Sequence, residues 1–353
     1  MELHREGEVE FEVEEGVFYN PRMILNRDIG IQVLKALSIS EYLDALSASG
    51  IRGLRAAKEA RVDKVMLNDM SPAACDCIVR NADRNNLTNC DVYCCNANVL
   101  LHKRHFQAVD LDPFGSPSPF ISAAARSARE FLFITATDTA PLCGAHFQSG
   151  VRKYMAVPIR TDYHHEMGAR ILLGLAAREL ARLDKGMETL LTHATDHYVR
   201  TYLKVIKGAD AANRTLEEMG YVESCQTCGG FWTRREPKPA GFCSACGSRT
   251  YMAGPLWLGK IQDKSLVGRI APAMEERRAR NLLEACASEV ELPMYYDYHR
   301  ICDRLGLTPK KAQVLIERLR ASGWKASRTH FSGVGIKTDA GIADMEKEML
   351  AAK

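Results

Sequence analysis

Apolar and polar positions change period along the chain, and these periods predict its secondary structure. Val and Phe alternate with Glu over residues 8–14, which is the pattern of a strand with one acidic face. From about Asn26 to Leu37, apolar residues recur at helical spacing. Strand-like and helix-like segments then alternate over residues 41–46, 53–60, 64–68, 72–85, 92–95, 106–111, 123–130 and 131–136. This alternation predicts an α/β fold, in which a Rossmann-like parallel sheet carries helices on both faces.

The second half of the chain has a less regular pattern. It predicts a helix at 163–183, the last part of the sheet at 188–202 and a helix at 273–287. Residues 294–337 predict a winged-helix-like end to a smaller α+β C-terminal domain. We expect its helices at Tyr298–Leu305 and Pro309–Ser322, with Gly323 as the cap of the second helix. A β-ribbon follows, whose strands are expected to flank Gly333–Gly335.

Length and composition indicate a globular protein with two domains. Of the 353 residues, 46% are hydrophobic and 26% are charged. We place the domain boundary at residue 220, which gives domains 1–220 and 221–353.

The sequence has no run of 18 apolar residues, and its N-terminus is charged, so we expect a cytoplasmic protein that does not enter a membrane. The net charge of +3 is too small to establish nucleic-acid binding, and no obligate protein partner is evident.

Three predicted strand ends carry residues suited to a nucleoside. Small residues fill the turn from Asp44 to Gly53, where a ligand can approach the backbone and the next helix favours an anionic group. Asp69 ends the second strand, where a carboxylate can accept hydrogen bonds from both ribose hydroxyls. Asn96 and Ala97 close the third strand, where an amide can reach an adenine edge. Each feature also has a simpler explanation, as a tight turn or, for Asp69, a helix cap.

The turn that closes the fourth strand contains the catalytic candidates Asp112, Pro113 and Phe114. This combination suits chemistry on the exocyclic amine of a nucleobase. Asp112 can accept one N–H and stabilise the positive charge that develops on the nitrogen, while Phe114 can stack on the base. The alternative is an ordinary strand end with a proline turn. Asp110 is expected to be structural or to lie next to the ligand rather than to be catalytic. Asp138 after the fifth strand can line a base pocket or form a turn.

Four of the twelve cysteines form two Cys-x-x-Cys pairs, Cys225 with Cys228 and Cys243 with Cys246. Four thiolates in two such knuckles match a tetrahedral structural zinc site, which has no open position for catalysis. Glycines follow both pairs and can supply tight turns. Buried thiols, a redox pair or an iron–sulfur centre are the alternatives.

Basic residues in the C-terminal half can contact RNA phosphates, although a charged run is more often a solvated face. Near the cysteine pairs they are Lys204, Lys207, Arg234, Arg235, Lys238 and Lys260. In the helix-turn-helix segment they are Lys310, Lys311, Arg318, Arg320, Lys325 and Arg328.

Taken together, these segments resemble the tRNA (guanine-26, N2)-dimethyltransferase family over nearly the whole chain. The matching stretches are 17–21, 26–28, 44–55, Asp69, 112–117 and 135–144, with the cysteine pairs and the C-terminal segment. The resemblance implies a class I methyltransferase fold with S-adenosylmethionine (SAM) as methyl donor. It also implies tRNA as partner and substrate, with N2-methyl- and N2,N2-dimethylguanosine at position 26 as products.

The resemblance further implies roles for individual residues. The implied cofactor-binding residues are Arg27, Asp44, Arg52, Asp69, Asn96 and Ala97, with Arg27 at the methionyl carboxylate. Asp112 is implied to be catalytic, and Phe18 and Phe114 are implied to flank the guanine. Relatives often carry Asp where this chain has Asn96, so the hydrogen bonds to adenine would differ there.

Two other functions are compatible with the residues alone. One is a SAM-dependent enzyme acting on an rRNA or DNA amine, because similar strand-end turns serve several bases. The other is a zinc-ribbon RNA-binding protein with an inactive methyltransferase fold. The joint presence of Asp69, Asp112 and Phe114 argues against an inactive fold.

Overall fold

The computed structural model describes residues 2–351, with the side chain of residue 2 outside the description. Its first elements are an antiparallel hairpin and a helix: β1 (Glu2–Glu6), β2 (Val9–Val13) and α1 (Ile24–Leu37). The predicted strand over 8–14 and the predicted helix ending at Leu37 are confirmed. Val9 and Phe11 are fully buried and the alternating glutamates of residues 8–14 are exposed or half-buried, so the apolar positions of the period-2 pattern form the buried face.

Strands and helices alternate from residue 41 to 136, as the pattern predicts. They are β3 (Glu41–Asp44), α2 (Ile51–Lys58), β4 (Lys64–Asp69), α3 (Pro72–Arg84), β5 (Cys90–Cys94), α4 (Ala97–Lys103), β6 (Phe106–Leu111), α5 (Ser118–Ser127) and β7 (Ala128–Ala136). The helix predicted over 123–130 was wrong at both ends. It begins at Ser118 because Pro119 suits a first helical turn, and Ala128 already pairs with Phe106 of the neighbouring strand.

The sheet is completed by an antiparallel hairpin, of which only the strand that pairs with β7 runs against the other strands. After α6 (Thr139–Leu142), α7 (Phe147–Tyr154) and α8 (His164–Ala181) come β8 (Lys185–Thr195) and β9 (Tyr198–Lys207). The strand order is β5-β4-β3-β6-β7-β9-β8, parallel from β5 to β7 and antiparallel for β9 and β8. The predicted Rossmann-like sheet is confirmed. Its order reverses between β3 and β6, which is where open α/β sheets bind ligands.

The last third of the chain adds two small antiparallel sheets and several helices. The elements are α9 (Ala209–Glu217), β10 (Met219–Ser224), β11 (Phe231–Arg234), β12 (Tyr251–Trp257), α10 (Lys264–Ile270), α11 (Arg277–Ser288), β13 (Tyr296–Asp297), α12 (Tyr298–Leu305), α13 (Ala312–Ala321), β14 (Ala326–Thr329), β15 (Ser332–Thr338) and α14 (Ile342–Leu350). The sheets have the orders β11-β10-β12 and β13-β15-β14. The winged-helix-like end is confirmed, including the cap at Gly323, where φ is +90°.

The β-ribbon turns at a different place from the predicted one. Gly333 and Gly335 lie inside β15, and the chain reverses at His330 and Phe331. Gly335 is needed for close packing, because a Cβ there would lie 2.5 Å from Thr329 Cγ2. The sequence therefore predicted a turn at a glycine whose actual role is close packing inside a strand.

Buried ion pairs connect α8 with the C-terminal elements. Glu166 Oε1 on α8 lies 2.9 Å from Arg170 Nε and 2.9 Å from Lys337 Nζ on β15. The same lysine lies 3.2 Å from Glu289 Oε2, and Glu289 Oε1 lies 2.6 Å from His330 Nδ1. All five side chains are at most 2% exposed. We call them the buried ion cluster; it holds β15 and the ribbon turn against α8.

The cluster keeps Glu289 and His330 charged across neutral pH. Burial raises the pKa of Glu289, but His330 and Lys337 outweigh this effect and lower the pKa to about 2. Burial lowers the pKa of His330, but Cys286 and Glu289 outweigh it and raise the pKa to about 10. Glu289 therefore contributes stability above pH 4.5 that is lost as the pH falls toward 2. His330 contributes stability below pH 6.5 that is lost as the pH rises toward 10.

Replacing Glu289 with Gln should lower the free energy of unfolding by about 3–5 kcal/mol, because the buried His330 loses its counter-charge and Lys337 keeps only Glu166. The difference from the wild type should be largest between pH 4.5 and 6.5 and should shrink on either side. Urea unfolding at several pH values measures it. Glu188→Gln is the control, since Glu188 forms an exposed pair with Lys204 and should change stability by about 0–1 kcal/mol. Equal effects of both variants would contradict the prediction.

Candidate active site

A cleft of about 600 Å³ opens where β3, β4 and β6 end, a size usual for small-molecule sites. It brings together eight predicted residues: Phe18, Arg27, Asp44, Arg52, Asp69, Asp112, Pro113 and Phe114. Met23 and Phe120 also line it, and sequence reasoning missed both because nothing but an apolar side chain distinguishes them. The parallel strands explain the convergence, since their carboxyl ends meet at one edge of the sheet.

Asp112 is held in its charged form by Arg52, in the first turn of α2. Arg52 Nη2 lies 2.5 Å from Asp112 Oδ2, and Arg52 Nε lies 3.2 Å from the same oxygen. Arg52 Nη2 also donates to Asn26 Oδ1 at 3.0 Å. Burial raises the pKa of Asp112, but Arg52 and Arg200 outweigh this effect and the pKa lies below its ordinary value. Asp112 is thus a carboxylate with a fixed orientation.

A second buried arginine lies beneath this pair. Both terminal nitrogens of Arg200, on β9, lie 2.7 Å from the carboxylate of Asp110, which also accepts the hydroxyl of Tyr42 at 2.6 Å. Arg200 and Asp110 are at most 1% exposed, which agrees with a structural role for Asp110. Sequence reasoning missed Arg200. The one local signal for Arg200 is a charged residue among the apolar positions of an internal strand.

Asp44 has an unusual environment at the end of β3. Burial and the nearby charge of Asp110 raise the pKa of Asp44 to about 7, although Arg52 acts in the opposite direction. Asp44 Oδ2 accepts the backbone N–H of Gly53 at 3.2 Å. The carboxyl group therefore ties the start of α2 to the strand end beneath the cleft.

Asp69 shapes the loop on the other side of the cleft. Its Oδ2 accepts the N–H of Ala48, and its Oδ1 accepts the N–H of Ser71, both at 2.9 Å. Ala48 and Gly50 both have positive φ, +48° and +79°, so the loop backbone curves tightly toward the cleft. The helix-cap explanation of Asp69 is wrong, because Ser71 caps α3 by accepting the N–H of Ala74. A carboxylate offers about four acceptor positions, so Asp69 can also accept from a ligand.

Two aromatic rings meet at the mouth of the cleft. Phe18 and Phe114 are 50% and 88% exposed, which is unusual for residues of this size. Their ring centroids are 5.4 Å apart, with the planes at 73°. The residues lie far apart in the chain, and the fold places them as neighbours on the open side of Asp112.

The other predicted site residues have more local partners. Arg27 lines the cleft, yet its Nε and Nη2 each lie 2.6 Å from an oxygen of Glu6. Asn96 caps α4, with its Oδ1 accepting the N–H of Asn98 at 2.9 Å. Ala97 is buried in the first turn of α4. Asn96 and Ala97 are outside the cleft lining, and their predicted roles stay predictions.

Asp138 lies beside the cleft. Its Oδ1 accepts the hydroxyl of Tyr154 at 2.5 Å, and its Oδ2 is 3.0 Å from Lys153 Nζ. The preceding residue, Thr137, lines the cleft, and its N–H donates to the carbonyl of Gly115 in the turn that contains Asp112. Asp138 therefore anchors the segment that follows it, and its predicted contact with substrate stays a prediction.

The four cysteines converge as the pattern predicts. The sulfurs of Cys225, Cys228, Cys243 and Cys246 all lie within 4.8 Å of one another. Two of these distances are 3.5 and 3.6 Å, close to the edge of about 3.8 Å that a tetrahedron with 2.3 Å zinc–sulfur bonds requires. The glycines after each pair, at 229 and 247, adopt the positive φ of a tight turn. The residues fit a structural zinc ion.

Most of the basic residues near the cysteine pairs have acidic partners. Arg234 pairs with Glu223, Arg235 with Glu218, Lys238 with Glu236, Lys204 with Glu188 and Lys260 with Glu291. Their charges are thus compensated within the protein.

Among residues 2–351, no helix combines the length and the apolar character that crossing a membrane requires.

Comparison with known proteins gives one consistent result. The family model described as N2,N2-dimethylguanosine tRNA methyltransferase matches residues 2–350. A tRNA (guanine(26)-N(2))-dimethyltransferase of Methanosarcina mazei is 47% identical over 95% of this chain and 92% of its own length. The enzyme of the same name from Natronomonas pharaonis is 46% identical over 94% and 92%. The solved structure of Trm1 from Pyrococcus horikoshii with S-adenosyl-L-methionine has a TM-score of 0.92 and 38% identity, covering 99% of this chain and all of the other.

Replacing Cys228 with Ser should remove the metal and loosen the segment around the cysteine pairs while changing SAM affinity little, because the cysteines and the cleft are built from separate elements. Elemental analysis should give about one zinc per wild-type chain and much less per variant chain, and calorimetry measures SAM binding. Cys302→Ser, at a buried cysteine outside the four-sulfur group, is the control. Equal zinc content in both variants would refute the metal site.

Proposed function

The chain belongs to the N2,N2-dimethylguanosine tRNA methyltransferase family, and we propose that it transfers methyl groups from SAM to the N2 amine of guanosine 26 in tRNA. The products are N2-methyl- and N2,N2-dimethylguanosine. One observation in the fold supports this most strongly: the ionised Asp112, the rings of Phe18 and Phe114, and Asp69 all border a single cleft. A nucleoside-binding carboxylate and a base-binding turn thereby face each other across the space where transfer takes place.

The residues at the strand ends fit SAM. When bound, SAM supplies a methyl group already activated by its positive sulfur, so the chain mainly binds and orients. Asp69 accepts hydrogen bonds from the ribose hydroxyls. Arg27 uses Nη1, the terminal nitrogen outside its two contacts with Glu6, for the methionyl carboxylate. Arg52 and Asp44 border the same end of the cleft. Asn96 and Ala97, at the start of α4, are assigned to the adenine end.

The guanine enters between the two rings. Phe18 and Phe114 stack on the faces of the base, which excludes water from the reacting amine. Pro113 is buried and has no N–H, so it adds no competing donor beside the amine. Asp138 supports this pocket from the side, through Thr137 and the catalytic turn.

Asp112 orients the amine and balances its charge. The lone pair of N2 is delocalised into the guanine ring, so the amine must turn for that lone pair to meet an electrophile. Both Arg52 contacts use Oδ2 of Asp112, and Oδ1 can accept one N–H of the amine. The fixed carboxylate then stabilises positive charge on the nitrogen. As the new bond forms, that nitrogen becomes acidic and releases its proton through Asp112 to solvent. One hydrogen remains for a second transfer.

Two further assignments rest on the sequence. We keep the division into residues 1–220 and 221–353, with the first part carrying the cleft and the second contributing to tRNA binding. The cytoplasmic location expected from the N-terminal sequence also stays a prediction.

Replacing Asp112 with Asn should lower kcat by about 10²–10³-fold, because a neutral amide cannot stabilise the charge that develops on N2. The Kd for tRNA should change little. The test is mass spectrometry of nucleosides from tRNA incubated with enzyme and SAM, together with a tRNA binding assay. In the wild type, activity should not vary with the protonation of Asp112 above about pH 4, since its pKa is lowered.

The matched control is Asp91→Asn, which neutralises a half-exposed aspartate of β5 that pairs with Lys64. It should retain wild-type activity. Near-normal turnover by the Asp112 variant would remove its assigned role. Methylation by the wild type of rRNA or DNA but not of tRNA would overturn the proposed substrate.

A further inference from the structure

The segment between Asp138 and Asp162 has an unusual charge composition. Residues 139–161 contain no Asp or Glu, yet they include His146, Arg152, Lys153 and Arg160. In a chain with 47 basic and 44 acidic residues, such a stretch creates a local positive surface that the net charge conceals. Sequence reasoning concentrated on the C-terminal basic residues and did not identify this one.

The charges of this segment are accessible. His146, Arg152, Lys153 and Arg160 are all exposed. Arg152 and Arg160 form no side-chain ion pair or hydrogen bond within residues 2–351, whereas most basic residues near the cysteine pairs are neutralised by glutamates. Phe147 and Met155 of the same segment are 50% and 67% exposed. Exposed cations next to exposed apolar side chains are the composition of a binding surface.

The segment is compact, and this brings its ends together. Gly144 packs so closely on the backbone of Ile159 and Arg160 that a Cβ there would lie 2.7 Å from the carbonyl carbon of Ile159. Gly150 packs equally closely on Pro141 and Pro158. Arg160 therefore lies near the beginning of the segment, and its charge adds to that of α7.

The segment is also fixed to the catalytic turn. Tyr154, the last residue of α7, binds Asp138 through its hydroxyl and accepts from Ser116 at 3.1 Å. Lys153 binds the other oxygen of Asp138. Ser116 follows Phe114 by two residues. A strand of RNA that lies on the segment is thus held at a set distance from the ring that stacks on the target base.

We propose that residues His146, Phe147, Arg152, Lys153 and Arg160, which we call the α7 basic face, bind the sugar-phosphate backbone next to the target nucleotide. This proposal rests on the proposed function, since it assumes that the cleft accepts a base from RNA. Arg152 and Arg160 contact phosphates, and Lys153 contributes positive charge while it anchors α7 to Asp138. The face determines how the substrate lies beside the cleft, and the chemistry stays with Asp112.

The test is the double variant Arg152→Ala/Arg160→Ala, assayed with the full chain and unmodified tRNA at several salt concentrations. The KM for tRNA should rise on the order of tenfold, while kcat and the KM for SAM should change less than about twofold. The slope of log(kcat/KM) against log[salt] should become shallower by about one unit per phosphate contact removed.

Two further variants make the result specific. Arg152→Lys/Arg160→Lys keeps both charges and should restore the wild-type salt slope. Arg126→Ala removes an exposed arginine at the end of α5, on the opposite edge of the sheet, and should leave all parameters unchanged. A double alanine variant with the wild-type KM and salt slope would overturn the α7 basic face. Failure of the wild type to methylate tRNA would instead overturn the proposed function, so the two failures are distinguishable.

Discussion

A network of two arginines and two aspartates is the constraint on which the site depends: Arg52 and Asp112 line the cleft, and Arg200 and Asp110 are buried next to them. Arg200 binds Asp110, and Arg52 binds Asp112, with Arg52 Nη1 also 4.0 Å from Asp110. Arg200 and Asp110 are fully buried, so removing Asp110 would leave Arg200 uncompensated at a cost of about 3–5 kcal/mol. Two positive and two negative charges cancel, and the third acid, Asp44, is the one whose pKa rises to about 7. The network thus decides which carboxyl group is reliably ionised at the cleft.

Local signals in the sequence were sufficient for much of this architecture. Strand ends are short-range features, so Asp44, Asp69 and Asp112 could be placed from apolar runs followed by turns, and parallel pairing then brought them together. The four-cysteine site could also be predicted from the sequence, because metal ligands in such pairs have a fixed spacing. Roles were harder to assign than positions. Asn96 and Arg27 are where the pattern put them, but each has a local partner, Asn98 or Glu6, that the pattern did not foresee.

What the sequence concealed depends on contacts between distant residues. Arg200 meets Asp110 across 90 residues of chain, and no periodicity marks such a pair. The buried ion cluster similarly joins Glu166 to Lys337 across 171 residues. The position of Gly335 was misread because side chains outside its own strand, those of Thr329 and of the more distant Tyr295, exclude a Cβ there. The α7 basic face escaped notice because its significance comes from its attachment to the catalytic turn through Tyr154.

The contact between Phe18 and Phe114 has a consequence for substrate selection. Edge-to-face rings with centroids 5.4 Å apart leave no slot for a planar base, so the rings must separate before the guanine can stack. Separating the two rings costs about 0.5–1.5 kcal/mol. Stacking of the rings on both faces of the guanine offsets this cost. For a base paired in a duplex, binding would also have to offset the free energy of unpairing and unstacking. A base that the tRNA fold already leaves weakly stacked would not carry this cost. The ring pair thereby favours nucleotides that leave their base stack easily, and this selection comes before any hydrogen bond to the edge of the base.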